Sequence, residues 1–298
     1  MMELMERIKN ARKSGRPVFW DGAMGTQLIE RGLAGRLPEL WNLEKPEVIR
    51  EIHRAYIDAG SEVIQVNSFG ANRLKLKTAG LESRLEEINL AAAEIGKEAS
   101  SGRALVAGDF GPTGEMMSPV GNLTPEACEK IYFEQARALV SGGVDLFSIE
   151  TMFDLEEVKA AIRGLKKAAR GLPVVAGMTF KKTGRGFFTM MGVSPEQAVN
   201  GMLEAGADVV GANCSVGPEA MVELVKVFRS HTSAPLIAQA NAGEPSLEGG
   251  KEVYGVTAAQ FASFAPKMFQ AGAEAIGACC GSSPEFIREM VRQFPAGK

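Results

Sequence analysis

The run Glu274-Ala275-Ile276-Gly277-Ala278-Cys279-Cys280-Gly281-Ser282-Ser283-Pro284-Glu285 holds one structural unit together with its chemistry. An apolar segment stops at two adjacent cysteines, a glycine follows, and Ser-Pro-Glu opens a helix. Neighbouring side chains of a regular strand point to opposite faces, so adjacent cysteines can share a task only where the strand has ended. Gly281, free to take φ > 0, would turn the backbone and bring both sulfurs toward one point. Gly211-Ala212-Asn213-Cys214-Ser215-Val216-Gly217-Pro218 repeats the design, an apolar run ending at a cysteine and then at a glycine-proline helix start. A free cysteine is most often a small buried hydrophobe, and a vicinal pair can be a redox switch. Three thiols all at strand ends favour a metal site instead, in which zinc takes three protein ligands and keeps a fourth position open.

Outward from this unit the same rhythm covers the chain. Apolar runs at 17–20, 62–66, 103–108, 145–149, 173–178, 207–212, 235–240 and 274–278 each lead to a polar end and then a helical segment. Helix starts are marked by Pro46, Thr124-Pro125-Glu126, the capping boxes Ser194-Pro195-Glu196-Gln197 and Thr257-Ala258-Ala259-Gln260, and Ser283-Pro284-Glu285. Eight such units without a linker predict a single-domain (β/α)8 TIM barrel spanning 1–298. A doubly wound sheet is disfavoured, because no Gly-x-Gly-x-x-Gly follows the first strand. Asp21, Asn67, Asp109, Glu150, Thr179, Asn213 with Cys214, Asn241, and Cys279 with Cys280 all fall at strand C-termini, the face where such barrels carry their sites. Cys128 and His53 lie on helices and read as structural. Lys181 to Gly186 reads as a mobile loop, since it lacks the Gly-Lys-Ser/Thr ending of a phosphate cradle. The Gly249-Gly250 segment reads as a loop as well.

Composition narrows the function. With 45% hydrophobic and 23% charged residues the chain is of ordinary globular type, and a net charge of −3 leaves no basic footprint for nucleic acid. Charges interrupt the first residues where a signal peptide needs an apolar segment, and no run reaches transmembrane length. Four cysteines, two of them adjacent, do not form a disulfide framework and suit a reducing cytoplasm.

Zinc held by three thiolates is electron-rich and ill suited to making hydroxide; it suits a fourth sulfur, which would become a thiolate at neutral pH. Glu150 and Asp21 offer carboxylates for an ammonium group. Backbone N–H groups after Asp21 and the Asn241 amide offer donors for a carboxylate. Those partners describe a thiol amino acid.

At Asp21-Gly22-Ala23-Met24-Gly25-Thr26, Asn67-Ser68-Phe69-Gly70-Ala71, Gly111-Pro112-Thr113-Gly114-Glu115, Ile149-Glu150-Thr151, Asn213-Cys214-Ser215-Val216-Gly217-Pro218, Asn241-Ala242-Gly243 and Cys279-Cys280-Gly281 the chain resembles the homocysteine S-methyltransferase family. Within it, the chain looks most like the homocysteine-binding module of cobalamin-dependent methionine synthases. The resemblance implies one Zn2+ per chain on Cys214, Cys279 and Cys280. It also implies homocysteine contacts at Asp21, Gly22, Ala23, Glu150 and Asn241, and methyl transfer to homocysteine to give methionine. Ala240, Ser282, Ser283 and Phe286 stand where relatives often have proline, threonines and histidine; none of these departures removes a ligand. The corrinoid motif Asp-x-His-x-x-Gly is absent, with Glu51 and Tyr56 at the matching offsets from His53. Methylcobalamin is therefore expected on a separate corrinoid protein or domain, with S-methylmethionine, S-adenosylmethionine and betaine as the other donors. Two other functions fit the same residues: a homocysteine- or zinc-binding module that needs a partner for turnover, and a vicinal-thiol redox sensor.

Overall fold

The computed structural model describes residues 2–35, 37–248 and 251–294. Its core is an eight-stranded parallel sheet of β1 (Val18–Phe19), β2 (Val63–Gln65), β3 (Leu105–Phe110), β4 (Leu146–Met152), β5 (Val174–Met178), β6 (Val209–Asn213), β7 (Leu236–Ala240) and β8 (Ala275–Ala278). Each strand is hydrogen-bonded to the next in sequence from β2 to β8, and β8 pairs with β1, Val18 opposite Ala275. A parallel bridge between Trp20 and Val63 joins β1 to β2 and brings the sheet round into a barrel. This is the (β/α)8 barrel that the rhythm of apolar runs predicts, with helices outside every strand.

The local signals act as read. Thr124 caps the helix Pro125–Ser141 by accepting from Ala127 N, and both capping boxes, Ser194 with Gln197 and Thr257 with Gln260, are formed reciprocally. Inside the barrel every strand contributes to one apolar cluster, among them Val18, Val63, Leu105, Leu146, Val175, Val209, Ile237 and Ala275. The helix Met2–Ser14 adds Leu4, Ile8 and Ala11 to that cluster and so closes the N-terminal end of the barrel. The C-terminal end is left as the open mouth.

Two loops differ from expectation. Lys181–Thr183 pairs antiparallel with Gly186–Phe188, so the basic segment is a hairpin, not an unstructured loop. Its Lys-Lys-Thr strand is exposed, with Lys182 paired to Glu223, and carries no apolar residue that could announce it. Pro245–Glu248 and Lys251–Tyr254 form a second hairpin; the Gly249-Gly250 pair lies outside the described residues. No described helix is long and apolar enough to cross a membrane.

Candidate functional site

The three strand-end thiols converge. β8 stops at Ala278, and Cys279 N donates to Ala240 O at 2.7 Å while Cys280 O accepts from Ala242 N at 2.9 Å. The pair is therefore tied to the end of β7, off the alternation of its own strand. Gly281 turns the chain at φ +78°, and a Cβ there would stand 2.2 Å from the Tyr254 ring, so neither its conformation nor its surroundings admit a side chain. Cys214 and Ser215 also take the left-handed conformation, φ 60° and 61°, immediately after β6. Left-handed non-glycine residues are uncommon and collect at functional sites.

Cys214 Sγ lies 3.9 Å from Cys280 Sγ, Cys279 Sγ lies 4.0 Å from Cys280 Sγ, and all three sulfurs fall within 4.8 Å of one another. Sulfurs at the corners of a tetrahedron with arms of 2.3 Å are about 3.8 Å apart. The donor set and its spacing thus fit one zinc ion. The four cysteines are unbridged. Hydrogen bonds from the thiols of Cys279 and Cys280 pull the Cys214 thiol down to about 3, opposed by burial and assisted by Ser215 N and the Asn241 side chain. Contact with Cys214 pushes both neighbouring thiols up, Cys280 to about 12. Cys128 is fully buried in its helix, far up the thiol range because of desolvation, and takes no part.

The sulfurs border a cavity of about 280 Å³ in the barrel mouth. Gly22 and Ala23 line one side and Glu150 with Thr151 another. Sequence reading did not single out Gln65, Glu39 and Phe69 as site residues, yet they line it too, as does Asp109. Gln65 is the connecting piece. Its Nε2 donates to Asp109 Oδ1 at 3.3 Å and Ser148 Oγ at 3.4 Å, its Oε1 accepts from Gln239 Nε2 at 2.7 Å, and its backbone N–H donates to Asp21 Oδ2 at 2.8 Å. A glutamine inside the apolar run Val63-Ile64-Gln65-Val66 was the available signal. Glu39, reached from a short 3-10 turn and bonded to Gly70 N, carried none.

Asp21 and Asn241 stand outside the cavity wall, 3% and 2% exposed, and each has an Oδ1 that is buried without a partner. Burial raises the Asp21 carboxyl well above the usual range against the Gln65 N–H, and the charge of Glu150 adds to the rise. Asp109 is raised by burial and then by the charges of Glu150 and Asp21. Enclosure pushes Glu150 up to about 7, with Gln65 opposing and Cys214 adding. These carboxylates share the mouth, and none of them has an ion-pair partner among the described residues.

A parallel barrel with a three-thiol group and clustered carboxylates at the C-terminal ends of its strands has the layout of a (β/α)8 enzyme whose site lies at that face. The sequence model of the homocysteine S-methyltransferase family matches residues 18–294, and the chain belongs to that family. The methionine synthase of Mycobacterium tuberculosis (strain ATCC 25618 / H37Rv) is 30% identical over 296 residues, which are 93% of this chain and 24% of that relative. The methionine synthase of Mycobacterium leprae (strain TN) is 29% identical over 294 residues, again 24% of its length. The chain therefore spans only 24% of these longer relatives. Among solved structures, the metallated form of the homocysteine methyltransferase MmuM from Escherichia coli superposes with a TM-score of 0.79 at 23% identity, covering 96% of this chain and 99% of that one. Its oxidized form gives 0.76 at 24% identity, covering 93% and 96%. At such identities these two likenesses show the fold alone.

Proposed function

We propose that residues 1–298 form a homocysteine- and zinc-binding barrel in which Cys214, Cys279 and Cys280 hold one zinc ion and homocysteine is methylated to methionine. The observation that carries this reading is the spacing of the three sulfurs at the edge of a cavity bounded by carboxylates without cations. Zinc bound there would supply a Lewis acid that turns a fourth thiol into a thiolate at neutral pH. Glu150, on the cavity wall, takes the ammonium group of homocysteine as a charge-assisted hydrogen-bond acceptor. Asp21 and Asp109, which burial holds toward the neutral form, stand near it as carboxyl groups that an ammonium charge would draw toward ionisation. Backbone at Gly22 and Ala23, on the cavity wall, receives the substrate carboxylate, while Asn241, behind the wall, supports Cys214 through its side chain. The homocysteine sulfur then attacks the donor methyl in line; the new S–CH3 bond forms as the bond between methyl and donor breaks, and the bonding pair leaves with the donor.

The donor in this reading is a methyl-corrinoid carried by a separate protein or domain. The match to 24% of two methionine synthases supports a barrel that works beside further domains. Three reduced thiols suit a reducing compartment such as the cytoplasm.

Elemental analysis and a donor screen test the proposal together. One zinc per chain is expected, most of it lost in Cys214→Ala, Cys279→Ala or Cys280→Ala and retained in Cys128→Ala. Methionine should form faster from methylcobalamin than from betaine, S-methylmethionine or S-adenosylmethionine. Full zinc retention in all three site variants would overturn the metal assignment, and methionine from betaine but not methylcobalamin would overturn the donor.

A further inference from the structure

Strand β4 breaks its own alternation at the cavity. Ile149 pairs with Ala176 and Met152 with Met178, so Glu150 and Thr151 together oppose the single residue Gly177 of β5. That is a β-bulge, which re-aims side chains next to a site. Its effect is that two sequential residues, Glu150 and Thr151, both reach the cavity wall. Thr151 is held at φ +61°, a conformation that a β-branched residue adopts only when its surroundings impose it.

The imposing group comes from two strands away. Asn213 ends β6, and its side chain crosses over β5 to β4. Its Oδ1 accepts from Thr151 N at 2.8 Å, and its Nδ2 donates to Thr151 Oγ1 at 2.8 Å and to Glu150 Oε2 at 3.4 Å. The crossing needs room at β5. Gly177 provides it, since a Cβ there would sit 3.0 Å from Asn213 Oδ1 and 3.4 Å from Ile149 O. Asn213 is itself fixed at its backbone, where its carbonyl accepts from Thr179 Oγ1 at 3.0 Å, and the next residue is Cys214.

We propose that Asn213 is a positioning residue that sets Glu150 relative to the Cys214 sulfur, so that one amino acid can meet carboxylate and thiol group at once. The proposal rests on the reading of the cavity as a homocysteine site. An amide is suited to the task because it supplies an acceptor to the bulged N–H and donors to a hydroxyl and a carboxylate, all from one planar group. Asn213 touches no reacting atom; it acts through Glu150.

The test compares the binding of two thiols, homocysteine and γ-mercaptobutyrate, which lacks the ammonium group, to zinc-loaded protein by calorimetry. Wild type should prefer homocysteine about 30-fold, the order expected of one hydrogen-bonded charge. Asn213→Ala should keep its zinc and lose the preference, the two thiols binding within about threefold of each other. Glu150→Gln should do the same, and the double variant should fall no further, because both changes remove one interaction. Gly177→Ala, which crowds the Asn213 side chain while leaving both residues in place, should lower the preference by a smaller factor and decides the matter if Asn213→Ala does not fold. A merely structural asparagine would weaken both thiols equally and leave the ratio unchanged. An unchanged ratio in the variants against a clear preference in wild type overturns the positioning role alone. Absence of any preference in wild type overturns the homocysteine reading and this proposal with it.

Discussion

The two ends of the barrel treat carboxylates in opposite ways. At the closed end, an acidic residue stands immediately before each even-numbered strand: Glu62, Asp145, Asp208 and Glu274. Each accepts the N–H of the preceding strand, from Phe19 at 3.1 Å, Val106 at 2.8 Å, Val174 at 2.8 Å and Leu236 at 2.7 Å. Each also meets a cation, Arg16 at 3.1 Å, Lys97 at 2.9 Å, Lys166 at 2.6 Å and Arg229 at 3.0 Å. At the mouth, Asp21, Asp109 and Glu150 are enclosed with no cation beside them among the described residues, although Asp21 accepts the Gln65 N–H, and all three are shifted toward the neutral form. Charge at the base is balanced within the chain and serves stability. The mouth instead collects carboxyls that burial perturbs and no cation answers, a pattern that functional sites often show.

Exchanging one carboxylate from each end breaks or sharpens that contrast. Glu150→Gln is expected to lower kcat/KM for homocysteine about 100-fold, roughly 2.7 kcal/mol, while melting no lower than wild type, because it removes an uncompensated charge. Glu274→Gln should behave in reverse. It leaves Arg229 and Arg12 without their carboxylate, so stability should fall by on the order of 2 kcal/mol with kcat/KM per folded molecule unchanged. Denaturant unfolding and steady-state kinetics on the two variants give all four numbers; a stability loss at Glu150 equal to that at Glu274 would erase the distinction.

A smaller effect appears in the pH dependence of stability without substrate. An unfolded glutamate titrates near 4.5 and Glu150 in the fold at about 7. The folded state therefore holds a proton that the unfolded state releases between these values. The stabilisation is complete below the lower value and is lost as pH rises through the upper one. Wild type should lose on the order of 2–3 kcal/mol more than Glu150→Gln between these two values. Parallel unfolding curves for the two proteins across this window would show that Glu150 is ionised throughout.

What could be read in the sequence was local or strictly periodic. The capping boxes at Ser194 and Thr257 need only four consecutive residues, and apolar runs such as Val174–Met178 advertise strands buried on both faces. The thiols were legible because each closes such a run. The bulge at Glu150–Thr151 was not, since it exists only in the pairing of β4 with β5 and in an amide arriving from β6. Glu39 joins the cavity through loop packing between distant segments, which leaves no trace in spacing. The helix Met2–Ser14 is rich in charge, and its few apolar residues count as core only once the barrel end they plug exists. The acidic residue before each even-numbered strand stands in the sequence, but its meaning depends on the neighbouring strand's N–H.

On the proposed reading, three protein sulfurs hold zinc and leave a place for a fourth from the substrate. Zinc-edge X-ray absorption on metal-loaded protein, recorded with and without homocysteine, reads the sulfur count directly. Three sulfurs at about 2.3 Å plus one lighter atom are expected in the free protein, and four sulfurs once homocysteine is added. A sulfur count that stays the same on adding saturating homocysteine, or a free protein with fewer than three sulfurs on zinc, would contradict it.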